Sequence, residues 1–403
     1  MRGLLISVGT GVGDSPESII HAIKLSIKEK NPERIAFLVS PQSKKNAEEV
    51  AKMLNLSENT FSFFEVLDPN DLDMAFLEAK KAINWLDSEG IPTGEIISDF
   101  TSGTKPMSTA VVLVSFLNNV ERLSYVQGKR VKGIVFRGTE RTVTFSPILI
   151  FFERCISQAK EYLEKYQYEA ALKILQFPQT YKEIVGKGEV KRIESFISLI
   201  RAYNYWDKFN HLYATGEFKK IDFSLFKEFK PTDVKILHII ANAIKNKKIE
   251  KEIIVDLFVN AERRFKEGKY DDCVARLYRA LEMLAQWQLK EKYGLNTGNI
   301  DLSKVPDKEK WYNYKNPRDG KIKLPLYVSY ELLKSLEDPI GNEIEHIEGL
   351  LSIRNNSILA HGVVPVEKKQ AEKFIEITKN ILQKYILQFD GLFQKLKFPW
   401  DLE

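Results

Sequence analysis

The chain has 403 residues, of which 44% are hydrophobic and 29% charged, a balance that supports roughly two to three domains with sizeable cores and excludes a chain held open by its own charge. Its 60 basic and 55 acidic residues leave a formal charge of +5, which permits an anionic partner without demanding one. The two cysteines, Cys155 and Cys273, lie far apart with no metal-type spacing, so neither a disulfide nor a structural zinc is expected and a reducing compartment fits.

The opening MRGLLISVGTGVGD carries one short apolar run that glycines interrupt before it reaches signal-peptide length, and it reads as a strand over 3–8. Further strands are predicted over 34–40, 61–67, 95–100 and 122–127, with helices near 16–30, 43–54, 71–88 and 106–119 between them. Strands that alternate with amphipathic helices predict a parallel sheet covered by helices, an α/β Rossmann-like domain over 1–145. GIVFRGTERTVTF then reads as a hairpin turning at 137–141, which adds antiparallel strands beyond the parallel set.

Two loops of this domain follow strands and precede helices. SVGTGVGD places Gly9, Thr10 and Gly11 where backbone N–H groups can approach a phosphate, or where a tight strand-to-helix turn simply needs glycine. It is not a dinucleotide fingerprint, because Asp14 stands at the third glycine position and the second strand ends at Ser40 without an acid for a ribose; a nucleotide-dependent oxidoreductase is disfavoured. DFTSGTKPMS supplies the hydroxyls of Thr101, Ser102 and Thr104, then Gly103, Lys105 and, in the first turn of the helix, Met107. Hydroxyls and a lysine suit an anion, although an N-capping turn with a solvated lysine needs the same residues. In an open parallel sheet both loops can border the crevice at the carboxyl ends of the strands.

From about 150 onward the apolar spacing becomes helical. The greasiest stretch, PILIFF at 147–152, falls far short of the roughly eighteen apolar residues of a membrane helix, so no membrane contact and a cytoplasmic location are expected. Ala159 and Tyr168 recur in spacing as Ala261 and Tyr270, which predicts two helical hairpins, too few copies for a solenoid. Residues 146–254 read as a helical connector and 255–403 as a second, all-α domain. Within it, 275–293 is strongly amphipathic, with Leu277, Leu281, Leu284 and Leu289 near helical spacing and Arg276 and Arg279, solvated or RNA-facing, on other faces. The polar segment 295–325 is an ordered insertion or a mobile loop, and its KWYNYKNPRDGKIK could stack bases or be plain surface.

SIRNNSILAHG at 352–362 puts Arg354, Asn355 and His361 where packing residues would be expected. If the helix runs to Gly362, seven residues bring Arg354 and His361 to within about 20° of one face and about 10 Å along the axis. His361 would then sit in the last turn, where the dipole favours the imidazolium. An arginine and a titratable imidazole suit metal-free RNA cleavage, which needs a proton taken from the 2′-hydroxyl, a proton given to the 5′-oxygen, and positive charge at the transition state. Asn355 can hold side chains or phosphate oxygens. Equally, Arg354 could pair with Glu345 or Glu348 while His361 caps the helix. His21, His211, His238 and His346 read as structural.

Taken together, SVGTG and DFTSGTKPMS resemble the CARF domain of CRISPR-associated proteins, and RNNSILAH resembles the HEPN ribonuclease motif. The resemblance covers most of the chain: CARF over 1–145, connector over 146–254, HEPN over 255–403. It implies a homodimeric, metal-independent single-stranded RNA endoribonuclease of type III CRISPR defence, with no cofactor, activated by a cyclic oligoadenylate. It further implies that Gly9, Thr10, Gly11, Thr101, Ser102, Gly103, Thr104, Lys105 and Met107 line the activator site, and that Arg354, Asn355 and His361 of both subunits form the catalytic site. The alternative is a non-catalytic nucleotide sensor whose HEPN module serves only dimerisation.

Overall fold

The computed structural model describes residues 2–11, 16–120, 122–131, 134–135, 139–146, 148–176, 186–226, 229 and 233–401. The chain divides into two compact units, Met1–Arg154 and Cys155–Glu403.

In the first unit, strands β1 (Gly3–Ser7), β2 (Arg34–Val39), β3 (Phe61–Glu65), β4 (Ile96–Asp99) and β5 (Arg122–Gln127) alternate with helices α1 (Glu17–Lys30), α2 (Lys44–Met53), α3 (Leu72–Ser88) and α4 (Lys105–Leu117). The sheet order is β3-β2-β1-β4-β5-β8, parallel through β5, with β8 (Arg141–Phe145) antiparallel against it. The predicted hairpin thus closes differently. β8 lies on β5, while β6 (Arg130–Val131) pairs with β7 (Ile134–Val135), and part of the predicted turn at 137–141 falls outside the described residues.

Alternation along β1 explains the double winding: Leu4 and Ile6 point to one face and Leu5 to the other. The first face is closed by Ile20, Ile23 and Ile27 of α1 with Ala47 and Val50 of α2. The second is closed by α3, whose Ala75, Ala79 and Ala82 recur at helical spacing and let the backbone come close, and by Val111 and Val114 of α4. The switch in strand order falls between β1 and β4, so the loops after these strands diverge around a crevice.

The second unit is almost wholly helical. Its helices are α5 (Ile148–Glu164, begun in the first unit), α6 (Tyr168–Ile174), α7 (Lys187–Asp207), α8 (His211–Phe218), α9 (Val234–Lys245), α10 (Lys251–Lys266), α11 (Tyr270–Tyr293), α12 (Lys308–Tyr312), α13 (Leu326–Ser335), α14 (Ile344–Asn355), α15 (Lys368–Tyr385) and α16 (Phe389–Leu396). The second predicted hairpin is present, α10 packing against α11, and at both places, Tyr168 and Tyr270, a helix begins two residues after a left-handed turn residue, Tyr166 and Gly268. Leu277, Leu281, Leu284 and Leu289 of α11 are all buried. The arginines on its other faces are engaged: Arg276 with Asp272 and Asn260, Arg279 with Glu282 and Gln286. Buried His211 is held between the Phe209 carbonyl and Asp256, a structural histidine as expected.

The 295–325 insertion is folded around its own apolar residues, with Leu295, Ile300, Val305, Ile322 and Leu324 buried. Trp311, a candidate base-stacker from sequence, is fully buried and donates its indole N–H to the Pro306 carbonyl at 2.7 Å. It packs the insertion and has no free face for a base. Cys273 is a buried free thiol, and burial pushes it up to about 12.

Candidate functional site

In the first unit the loops after β1 to β4 surround a cavity of about 660 Å³. Gly9, Thr10, Gly11, Thr101, Ser102, Gly103, Thr104 and Met107 line it; Lys105, exposed at the start of α4, does not. The two loops touch through their backbones. A Cβ on Gly9 would stand 2.8 Å from the Gly103 nitrogen, and Gly103 itself holds φ +101, a left-handed conformation that glycine adopts without strain.

The hydroxyls predicted to face an anion are occupied by protein. Ser102 Oγ donates to the Ser7 carbonyl at 2.7 Å and accepts from the Gly9 N–H at 3.2 Å. Thr101 Oγ1 donates to Asp99 and accepts from the Val126 N–H, while Thr104 Oγ1 donates to the Pro69 carbonyl and caps α4 at the Met107 N–H. These side chains shape the loop; what it offers a ligand is backbone. The N–H groups of Thr10, Gly103 and Lys105 have no hydrogen-bond partner among the described residues, and the last two open α4, where the helix dipole favours negative charge.

Beneath the loop lies a charged network. Asp99, fully buried, accepts from Lys30 Nζ at 3.0 Å, from Ser26 and Ser124 through Oδ2, and from the Thr101 N–H at 2.9 Å through Oδ1. Lys30 is itself nearly fully buried.

Two positioning contributions escaped the sequence. Asn46 of α2, buried between apolar neighbours, donates to the Gly9 carbonyl at 2.9 Å, and the β3–α3 turn brings Leu67, Asp68, Pro69 and Asn70 to the cavity rim. A lone asparagine on an otherwise apolar stripe was the available signal for the first.

In the second unit α14 ends at Asn355, so His361 does not share its helix with Arg354, contrary to the sequence expectation. The cause is local: Asn355, Asn356 and Ser357 compete for backbone hydrogen bonds and favour turns. The chain folds back through Ser357 N–H to Arg354 O at 3.1 Å, Gly362 N–H to Ser357 O at 3.1 Å and His361 N–H to Asn355 O at 3.3 Å. The last bond brings the His361 backbone back to Asn355, beside Arg354, by a route other than helical periodicity.

Arg354 is half-buried with its guanidinium 4.6 Å from the ring centre of Tyr278 on α11 and an Nη1 donating to Asn355 Oδ1 at 3.1 Å. It makes no ion pair among the described residues; Glu345 instead meets Lys334 at 3.9 Å. Burial pushes the Tyr278 phenol up, and Glu282 adds to this while Arg354 opposes it. The neutral ring presents its face to the cation. The His361 imidazole is exposed and has no partner among the described residues. Ile358, Leu359, Val363 and Val364, all more than half exposed, flank it.

Gly362 is required by this turn, because a Cβ there would lie 1.9 Å from the Asn356 carbonyl oxygen. Gly362→Ala is expected to lower Tm by about 2–10 °C through forced repacking of the turn, read in a thermal scan. Gly349→Ala, in mid-α14 with open space at its Cβ, is the control and should hold or raise Tm.

Residues 241–385 match the family described as the Csm6 HEPN domain. Across solved structures the chain is similar to Enterococcus italicus Csm6 bound to cyclic hexa-2'-fluoro-hexa-dAMP, at 13% identity and TM-score 0.61, covering 100% of both chains. A weaker similarity, TM-score 0.25 at 14% identity over 74% of this chain and 71% of the other, is to Can2 from Sulfobacillus thermosulfidooxidans in complex with cyclic tetra-adenylate. No curated protein matches the chain. No described helix is long and apolar enough to cross a membrane. The chain therefore carries a Csm6-type HEPN domain over residues 241–385, preceded in sequence by a mixed α/β sheet domain of Rossmann-like order.

Proposed function

We propose that this protein is a cytoplasmic, homodimeric endoribonuclease of CRISPR defence that cuts single-stranded RNA when a cyclic oligoadenylate occupies its N-terminal domain. What supports this above all is the turn at 356–362, which returns His361 to Asn355 and leaves its imidazole without a partner among the described residues, in a domain matching the Csm6 HEPN family.

In the reaction, a base takes the proton of the ribose 2′-hydroxyl, the 2′-oxygen bonds to phosphorus, and the bond from phosphorus to the 5′-oxygen breaks. The leaving oxygen receives a proton, and the products are a 2′,3′-cyclic phosphate and a 5′-hydroxyl. His361 holds or delivers protons, Arg354 balances charge at the phosphorane-like transition state, and Asn355 orients Arg354. One copy supplies a single imidazole, so two copies of the turn are needed around one phosphate. The exposed apolar residues at 358–364 favour a second copy as the cover of this face. No metal takes part.

The N–H groups of Thr10, Gly103 and Lys105, unpaired among the described residues, suit the phosphates of the activator, and the Lys105 ammonium adds positive charge near the same loop. Activation requires that the activator bind one dimer arrangement more tightly than another, since an equal binder shifts nothing. The segment 146–254 carries that bias. Gly9→Ala should push the Gly9 and Gly103 backbones apart and weaken activator binding by about tenfold or more, measured by calorimetry on the folded protein.

The experiment that tests the function is cleavage of single-stranded RNA, in chelator, with and without cyclic oligoadenylates of different ring size. Cleavage only with one ring size, leaving 2′,3′-cyclic ends, is the expected result. Activator binding without any cleavage would favour the non-catalytic sensor instead.

A further inference from the structure

The second unit has a further cavity of about 560 Å³, bordered by α11, by the residues just after α9 and by both ends of the 295–325 insertion. Trp287 of α11 is half-buried in its wall, and its ring has no aromatic or cationic contact among the described residues. Around it stand Lys247, Lys248 and Lys290, exposed and without ion-pair partners among the described residues; a fourth lysine, Lys323, is held by Asp319 at 2.6 Å. Glu291 is the one carboxylate in the lining.

The amides of the lining are oriented by their neighbours. Gln286 Oε1 accepts from Arg279 at 3.1 Å and Asn296 Oδ1 accepts from the Gly298 N–H at 2.9 Å, so both side chains keep their NH₂ donors free. The cavity is therefore an aromatic face surrounded by donors and positive charge. A complementary ligand has a flat π-face, many acceptors and negative charge, which is the chemistry of a nucleotide.

The cavity is remote from the catalytic turn. Tyr278, which carries Arg354, and Trp287 are nine residues apart on one helix, about 14 Å along the axis and half a turn around it. It cannot hold the phosphate that Arg354 addresses. It can hold a nucleotide farther along the same strand.

We propose that the Trp287 cavity is an RNA exosite, in which one base of the single-stranded substrate stacks on Trp287 while the adjoining phosphates meet Lys247, Lys248 and Lys290. This rests on the ribonuclease function above and deepens it: the enzyme grips long strands at a point distant from the cut.

The test uses full-length protein. Trp287→Ala and the double variant Lys247→Glu/Lys290→Glu are compared with wild type and Trp287→Phe in activator-dependent cleavage of a long and a short single-stranded RNA. Binding of labelled long RNA is measured in the same variants on an Arg354→Ala/His361→Ala background. Trp287→Ala is expected to raise KM and Kd for the long RNA about tenfold with kcat retained. The penalty should shrink on an oligonucleotide too short to span both places, and Trp287→Phe should restore most of the affinity. The lysine variant should flatten the dependence of binding on salt.

Unaltered long-RNA KM and Kd in both Trp287→Ala and the lysine variant would overturn the exosite while leaving the ribonuclease function intact. Conversely, Trp287-dependent RNA binding by a wild-type chain that cleaves nothing with any activator would uphold the exosite and sink the ribonuclease. Binding of adenosine monophosphate or a cyclic oligoadenylate at Trp287 as tightly as RNA would overturn the assignment to a strand and mark a site for free nucleotides. Tight binding there of an acidic peptide, with RNA affinity unmoved, would overturn it as well.

Discussion

Arg354→Ala and His361→Ala are each expected to reduce activator-dependent RNA cleavage by about 10²–10⁴-fold while leaving Tm within about 1–2 °C of wild type. The two halves of that expectation have separate causes. The His361 ring is exposed and bonded to nothing in its own chain among the described residues, so its removal costs the fold little. Among the described residues Arg354 touches Tyr278 and Asn355 but pairs with no carboxylate, so its removal strands no buried charge there. A large loss of rate without a loss of stability is the signature of a group acting on substrate. Arg354→Lys should recover little, because a point ammonium reproduces neither the planar fork nor the stacking on Tyr278.

The opposite pattern, large in stability, is expected at Asp99. Asp99→Ala leaves the buried Lys30 ammonium without its counter-charge, a change worth about 3–5 kcal/mol. Set against a typical domain stability of about 5–15 kcal/mol, that brings the N-terminal unit close to unfolding at ambient temperature. Lys30→Met should cost less, since Asp99 would keep donors from Ser26, Ser124 and Thr101. Combining Lys30→Met with Asp99→Leu removes both charges and should recover part of the Asp99→Ala loss. Urea unfolding with a lowered midpoint and unchanged slope is the measurement. Because Asp99 Oδ1 also fixes Thr101, any folded Asp99 variant should bind the activator more weakly.

How far the sequence reaches is clear from particular residues. Short strands such as 122–127 were legible to the residue because alternation and β-branched or aromatic content report the half-buried face of a sheet. The loops beside the crevice between β1 and β4 were legible as strand-to-helix turns, from glycines at strand ends and a threonine before a lysine-proline helix start, which left an anion site and a plain capping turn both open. The direction of the Thr101, Ser102 and Thr104 hydroxyls was not. Their partners Asp99, Ser7 and Pro69 are supplied by the tertiary fold, and so is the contact of Asn46 with Gly9.

The turn at 356–362 shows the same limit in another form. Arg354 and His361 were identified by residue type and spacing, yet the helix was carried nearly two turns too far. Ser357 and the two asparagines before it end the helix early, and the tight contact of Gly362 with Asn356 closes the turn; neither effect has a periodic signature. Trp311 misled for a related reason. A tryptophan amid lysines reads the same whether it faces solvent or fills the centre of a small insertion, and only the position of the Pro306 carbonyl decides.

The most direct measurement of the central claim is single-turnover cleavage of an end-labelled single-stranded RNA in chelator, by wild type and by His361→Ala, each with and without the activating cyclic oligoadenylate. The account predicts cleavage with 2′,3′-cyclic ends for wild type plus activator alone, with the other three reactions near background. Equal cleavage by His361→Ala, or products ending in a 3′-hydroxyl, would contradict it.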